Sequence, residues 1–202
     1  MKIVALDIDG CLANFTSSYA RALIKVGGDR LPKGWETDPE WPKEWYWDRA
    51  AGYPPEVEKE VWSNYILQPG SKFWEQLDAL PGTDESLMVL NGKVKRGEVD
   101  CYFLTHRIGH RAKNQTETWL YNHGIDYPTV LLAADKVPYL TQLKPDFFID
   151  DKPDHVLAAL KADVVDQLYL RITPYNKDLW EAQGFKKAVS VKDALVDAGL
   201  WE

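Results

Sequence analysis

The sequence predicts a doubly wound α/β fold, a parallel sheet with helices on both faces. Three observations predict it. The chain opens on an apolar, β-branched run, Lys2-Ile3-Val4-Ala5-Leu6, that ends in Asp7-Ile8-Asp9-Gly10, the pattern of a buried strand whose tip carries two carboxylates. From residue 84 onward, short apolar runs alternate with segments of helical period, as in strand–helix–strand units. The chain has 202 residues, 45% of them hydrophobic, enough for one such core and an inserted subdomain.

Residues 2–7 read as the first strand. Residues 16–26 read as a helix capped by Thr16 or Ser17 and stopped by Gly27-Gly28. Residues 30–54 are rich in proline, tryptophan and charge and read as irregular structure with short helices. A helical pattern resumes over 55–67, with Val57, Val61, Tyr65 and Ile66 on one face. Residues 73–80 read as a short helix before the Pro81-Gly82 turn. Four further strands are expected at 100–104, 129–132, 147–150 and 167–171. Helices are expected at 84–96, 113–123, 137–142, 153–160 and 190–198. The segment 172–202 reads as structural, closing the sheet with a helix and carrying no chemistry.

Composition narrows the function. The formal net charge of −7 argues against a nucleic-acid polymer as partner. No run approaches the roughly 18 apolar residues that a membrane span needs, and the N-terminus reads as a strand rather than a signal peptide. Cys11 and Cys101 form no CxxC pair and sit in apolar contexts, so they read as reduced thiols of a cytoplasmic protein. A homodimer is compatible with the sequence.

In a sheet of this kind, ligands bind beyond the carboxyl ends of the strands. The first strand ends in Asp7 and Asp9, and Gly10 lets the chain turn so that both acids approach one point. The second ends in Thr105-His106-Arg107, the third leads to Lys136, and the fourth ends in Asp150-Asp151. Taken singly, each has an ordinary reading as a turn residue, a helix cap or a solvated side chain. Their convergence on one edge gives each a role against a phosphate monoester. Asp7 attacks phosphorus. Asp9 protonates the leaving oxygen and then deprotonates water. Thr105 and His106 hold phosphate oxygens, and Lys136 supplies fixed positive charge. Asp7, Asp9 and Asp150 offer oxygen ligands to Mg²⁺, with Asp151 beside them. For Arg107 and Arg111 two readings stand, a phosphate contact or a solvent-exposed side chain.

The motifs DIDGCLANF (7–15), FLTHR (103–107), Lys136 and FIDDKPDH (148–155) resemble, in order, the four motifs of the haloacid dehalogenase (HAD) superfamily of aspartate-nucleophile phosphohydrolases. Within it the chain looks most like the 5′(3′)-deoxyribonucleotidase family. That resemblance implies a Rossmann-like core over 1–15 and 75–202, with a small helical cap, 16–74, inserted after the first motif. It implies Asp7 as nucleophile, Asp9 as acid/base, and Mg²⁺ on Asp7, the Asp9 carbonyl and Asp150. His106-Arg107 departs from the small residues common after the motif threonine.

The chain has nine tryptophans, and six of them fall between residues 35 and 74. A small subdomain needs large side chains for its own core, and an aromatic pocket for a flat ligand uses the remainder. Phe15, Trp45, Trp47, Trp62, Phe73 and Trp74 are the candidates for stacking on a nucleobase, with Phe15 first because it follows the catalytic turn directly. Joints near 14–17 and 75–82 would let such a cap open. The expected function is a Mg²⁺-dependent nucleoside 5′-monophosphatase acting on a small-molecule nucleotide, deoxyribonucleotides foremost. The alternatives are a phosphatase for another small ester, such as a sugar phosphate, and an inactive binding module. The latter would have lost Asp7, Asp9, Lys136 or Asp150, and all four are present.

Overall fold

Six strands form one sheet: β1 (Lys2–Leu6), β2 (Val99–Thr105), β3 (Thr129–Leu132), β4 (Phe147–Asp150), β5 (Gln167–Arg171) and β6 (Lys186–Ala188). Their order is β3-β2-β1-β4-β5-β6, and every pairing is parallel. The computed structural model describes residues 1–30, 54–178 and 184–201. The chain leaves β1 for one edge and returns at β4 to build toward the other, so the order reverses between β1 and β4. A crevice opens at such a reversal, beyond the carboxyl ends of the strands.

Period-two alternation splits each strand between two cores. Val4 and Leu6 of β1, Phe147 and Ile149 of β4, and Tyr169 of β5 face the larger core. Ala5, Phe148, Leu168 and Leu170 face the smaller one. Helices α1 (Phe15–Gly27), α2 (Pro55–Val61), α3 (Thr83–Lys95), α4 (Ala112–Asn122) and α7 (Val191–Asp197) contribute to the larger core. Helices α5 (Val137–Leu143) and α6 (Pro153–Ala162) cover the other face through Leu140, Val156 and Ala159. The expected helices on both faces of a parallel sheet are therefore present. The larger core runs without a break from the sheet into the helices of 15–66, through Tyr19, Leu23, Val57, Val61 and Ile66.

Three local differences from the sequence reading have physical causes. Helix α1 is capped one turn earlier than expected: the Asn14 side chain accepts from the Ser17 amide at 3.2 Å. The helix predicted over 55–67 stays α-helical only to Val61. It then widens to a π turn at Trp62–Ile66, where the Leu67 amide reaches the Trp62 carbonyl at 2.8 Å. The helix predicted over 73–80 is a single 3₁₀ turn, Trp74–Gln76. The Leu80 amide, which a helix would have bonded to the Gln76 carbonyl, instead donates to the Leu12 carbonyl at 2.8 Å, and side chains hold the segment in place. Gln115 accepts from the Trp74 amide at 3.1 Å, and Trp119 Nε1 donates to the Leu77 carbonyl at 2.7 Å.

Strand β6 is the one strand of the described residues with no expectation behind it. Its sequence is Lys186-Lys187-Ala188, which lacks the apolar run of an interior strand. It pairs on one side only, with β5, and lysines suit such an edge.

Leu195, fully buried on α7, does not line the cavity of the crevice described below. Leu195→Ala should cost about 2–5 kcal/mol of unfolding free energy in denaturant titration and leave catalytic rates unchanged.

Candidate active site

The crevice holds a cavity of about 340 Å³, within the usual size range of small-ligand sites. Asp7, Asp9, Thr105 and Asp150, at the strand tips, line its floor, and His106, Lys152, His155 and the rings of Phe15, Trp62 and Trp74 complete its lining. The turn expected after Asp7 is present. Gly10 adopts φ +88°, and its amide closes onto the Ala13 carbonyl at 2.9 Å. The Cys11, Leu12 and Ala13 amides all return to the Ile8 carbonyl, so Asp7 and Asp9 are presented to the same space.

Lys136 sits beneath the floor, only 2% exposed, at the start of α5. Its ammonium donates to Asp7 and, at 2.6 Å, to Asp150. Asp150 has further donors: the Lys152 amide at 2.8 Å and His155 Nδ1 at 3.0 Å. Burial alone would raise the Asp150 carboxyl, yet Lys136 and His155 together hold it down to about 2. Asp7 has only its share of Lys136. Burial, aided by the charges on Asp150 and Asp9, pushes its carboxyl up to about 8. Lys136 itself stays protonated, because its two carboxylates outweigh its burial.

Asp9 has a different cation. Arg107 Nη2 donates to Oδ1 at 2.8 Å, Arg107 Nε lies 3.0 Å from Oδ2, and the Thr105 hydroxyl is 3.3 Å from Oδ2. Of the two readings of Arg107, the structure gives neither. Its side chain is enclosed, and its partner is a carboxylate of the protein. Arg111 is exposed. His106 lies at the cavity side, and burial and the nearby charges of Lys152, His155 and Lys136 hold its imidazole below its ordinary value, so it is neutral at pH 7.

Asp151 closes the floor on the side of Gly10. Burial and the Asp7 and Asp150 charges push its carboxyl well up. Its Oδ2 accepts from Tyr175, and its carbonyl accepts from Asn176 Nδ2 at 2.7 Å. Residues 172–202 therefore do reach the site, contrary to the sequence reading: Tyr175 also lines the cavity. The signal for it is weak, a lone tyrosine in an irregular turn. Arg171 Nη1 braces the turn from below by donating to the Gly10 carbonyl at 2.7 Å.

The charge balance suits a divalent cation. Asp9 is matched by Arg107 and Asp150 by Lys136, which leaves Asp7 and Asp151 short of positive charge; their raised carboxyls follow from that shortage, and a divalent cation would relieve it. Oxygen atoms of these two acids and Cys11 Sγ lie within 4.8 Å of one another. Cys11 is a poor member of that set. Burial, then the Asp7 charge, holds its thiol protonated, and a hard cation prefers oxygen. The grouping that geometry makes is thus Asp7 with Asp151, while three donors already occupy Asp150.

The aromatic candidates separate. Phe15 stacks on Trp74 (centroids 5.8 Å apart, planes at 18°) and on Trp62 (6.4 Å, 29°), and these three form the apolar wall. Phe73 packs edge-on behind Phe15 and Trp74 and does not line the cavity. Trp45 and Trp47 lie outside the described residues.

A Cβ at position 10 would overlap the Asp151 carboxylate, and the φ there disfavours any L side chain. Gly10→Ala should therefore displace Asp151 and depress kcat strongly while a thermal melt still shows a cooperative fold.

The family model for 5′ nucleotidase, deoxy (pyrimidine), cytosolic type C protein (NT5C) matches residues 1–195. A search of curated protein sequences finds no significant match. Among solved structures, the chain is similar to the HAD hydrolase YfnB of Bacillus subtilis, solved bound to magnesium. The identity is 13% and the TM-score 0.56, over 98% of each chain. It is similar to a haloacid dehalogenase-like hydrolase of Xanthomonas campestris at 12% identity and TM-score 0.54, over 98% of this chain and 94% of that one. It is also similar to a hydrolase of Streptococcus pneumoniae at 11% identity and TM-score 0.54, over 98% of this chain and the whole of that one. At such identities these likenesses are of fold. By the family match over nearly its whole length, on a fold shared with HAD hydrolases, the chain belongs to the cytosolic type C 5′ nucleotidase (deoxy, pyrimidine) family of HAD phosphohydrolases.

Proposed function

We propose that this protein is a Mg²⁺-dependent phosphomonoesterase that hydrolyses nucleoside 5′-monophosphates, deoxyribonucleotides foremost, through a phosphoaspartate on Asp7. The observation that carries the reading is the composition of one cavity. A buried carboxylate lies on its floor, and a wall of stacked aromatic rings stands beside it. The floor suits a phosphate ester and the wall suits a nucleobase. The family match supports the same class of substrate.

Asp7 attacks phosphorus with a carboxylate oxygen, and the bond from phosphorus to the ester oxygen breaks. Asp9 gives its proton to that departing oxygen, which leaves as the nucleoside hydroxyl. Asp9, now a carboxylate, takes a proton from water as the water oxygen bonds to phosphorus. The Asp7–phosphorus bond breaks, inorganic phosphate leaves, and Asp9 is protonated again. Lys136, bonded to Asp7, supplies positive charge beneath the phosphoryl group, and Thr105 holds Asp9 from the side. Asp7 and Asp151, with Asp150 and the Asp9 carbonyl beside them, would hold Mg²⁺. When bound, the ion supplies charge that keeps Asp7 ionised and offsets charge on the phosphoryl oxygens.

On the apolar side, Phe15 and Trp62 are half-buried and offer ring surface to a ligand, while Trp74, 3% exposed, backs them. No helix among the described residues is long and apolar enough to cross a membrane. The family's own description is cytosolic, and a cytoplasmic location is part of the reading.

The test is phosphate release from nucleoside 5′- and 3′-monophosphates, ribo and deoxy, and from sugar phosphates, with Mg²⁺ or with chelator. Release from deoxyribonucleoside 5′-monophosphates that chelator abolishes is the expected result. Release from sugar phosphates alone would overturn the nucleobase wall. Chelator-resistant release would overturn the metal. Phe15→Ala should raise KM for the nucleotide by an amount equivalent to the loss of one stacked base, about 1–3 kcal/mol. It should barely change KM for a phosphate ester without a base.

A further inference from the structure

We propose that Arg107 is the positioning residue of the acid/base carboxylate, and that it ties the orientation of Asp9 to the aromatic wall of the substrate cavity. The inference rests on the phosphomonoesterase reading above and assigns a role to Arg107, the last residue of the second motif, to which the resemblance gave none. Arg107 follows β2 by two residues, yet its side chain is wholly enclosed, which is rare for arginine unless it is paired. Asp9 lines the cavity and Arg107 does not, so the guanidinium lies behind the carboxylate as seen by a substrate.

Every edge of the guanidinium is engaged. Nε reaches both Asp9 oxygens, at 3.2 and 3.0 Å, and Nη2 donates to Oδ1 at 2.8 Å. Nη1 donates to the Trp74 carbonyl at 3.3 Å and to the Thr116 hydroxyl at 3.2 Å. Its Cζ lies 5.2 Å from the Trp74 ring centroid and 5.8 Å from that of Trp119. Two consequences follow from this geometry. A forked contact to both oxygens stops the carboxylate from rotating, so the group keeps one orientation where it lines the cavity. The same fork is fixed to the backbone and ring of Trp74, so the acid/base group and the ligand wall share one rigid support. A direct phosphate contact would require the guanidinium to leave Asp9 and pass through the floor.

A group that orients a proton donor matters in proportion to how much the leaving group needs the proton. A nucleoside alkoxide needs it, and 4-nitrophenolate does not. The experiment compares kcat/KM for a deoxyribonucleoside 5′-monophosphate and for 4-nitrophenyl phosphate, since kcat/KM covers the step in which the leaving group departs. Asp9→Asn provides the reference, with an expected loss of about 10²–10⁴-fold on the nucleotide and a much smaller one on the aryl ester. Arg107→Lys keeps the charge and removes the fork. It should show the same selectivity, losing about tenfold or more on the nucleotide and little on the aryl ester. Thr116→Val, which removes one support of Nη1 and keeps the arginine, should give a smaller loss with the same selectivity, and it serves if Arg107→Lys fails to fold. Equal losses on both esters, or no loss on either, in the folded variants would overturn the inference. If the wild type hydrolyses neither ester, or if Asp9→Asn shows no selectivity, it is the functional reading that fails.

Discussion

The site depends on one buried ammonium. Lys136 stands between Asp7 at the end of β1 and Asp150 at the end of β4, all three almost fully buried. Two carboxylates in that position could not both ionise without it. Because β1 and β4 flank the point where strand order reverses, the pair also closes the crevice from below. Removing either acid would leave a buried cation with half its partners, and removing the lysine would neutralise the floor. The ammonium therefore serves stability and chemistry through the same contacts.

Around this centre the charges are arranged in separate pairs. Asp9 has its own arginine, Asp150 has a histidine and a backbone amide in addition to Lys136, and Asp151 has Tyr175. The separation gives the acids different protonation behaviour within a few ångströms. Asp150 is held ionised at about 2, while Asp7 is pushed to about 8 by burial until more positive charge arrives. In its proposed role as nucleophile Asp7 must be ionised, a state that a divalent cation beside it would favour. The aromatic wall lines the same cavity, with Phe15 on α1, Trp62 on the π turn that follows α2 and Trp74 on the 3₁₀ turn beyond it. The widened turn sets Trp62 toward Phe15, a use of irregular helix geometry at a ligand site.

Much of the fold and the floor of the site were legible in the sequence. Asp7, Asp9, Thr105 and Asp150 sit at the tips of apolar strands, and a strand followed by a polar tip is a strong local pattern. Lys136 was legible by its place after the third strand. What escaped has other causes. Arginine carries a strong prior for the surface, so the enclosed Arg107 follows from three-dimensional packing alone. Tyr175 reaches Asp151 from a turn that has no periodicity to read. Phe73 and Phe15 have the same local appearance, and only packing places one behind the wall and the other in it. Strand β6 is held by a single neighbour and by two lysines at a sheet edge, which apolar patterning does not mark.

The central claim is that Asp7 carries the phosphoryl group. Rapid acid quench of the enzyme turning over a ³²P-labelled deoxyribonucleoside 5′-monophosphate, followed by peptide mapping, tests it most directly. The account predicts a label that hydroxylamine releases, located on the peptide containing Asp7 and absent from Asp7→Asn. Turnover with no label on the chain at any time, or a label mapped to another residue, would contradict it.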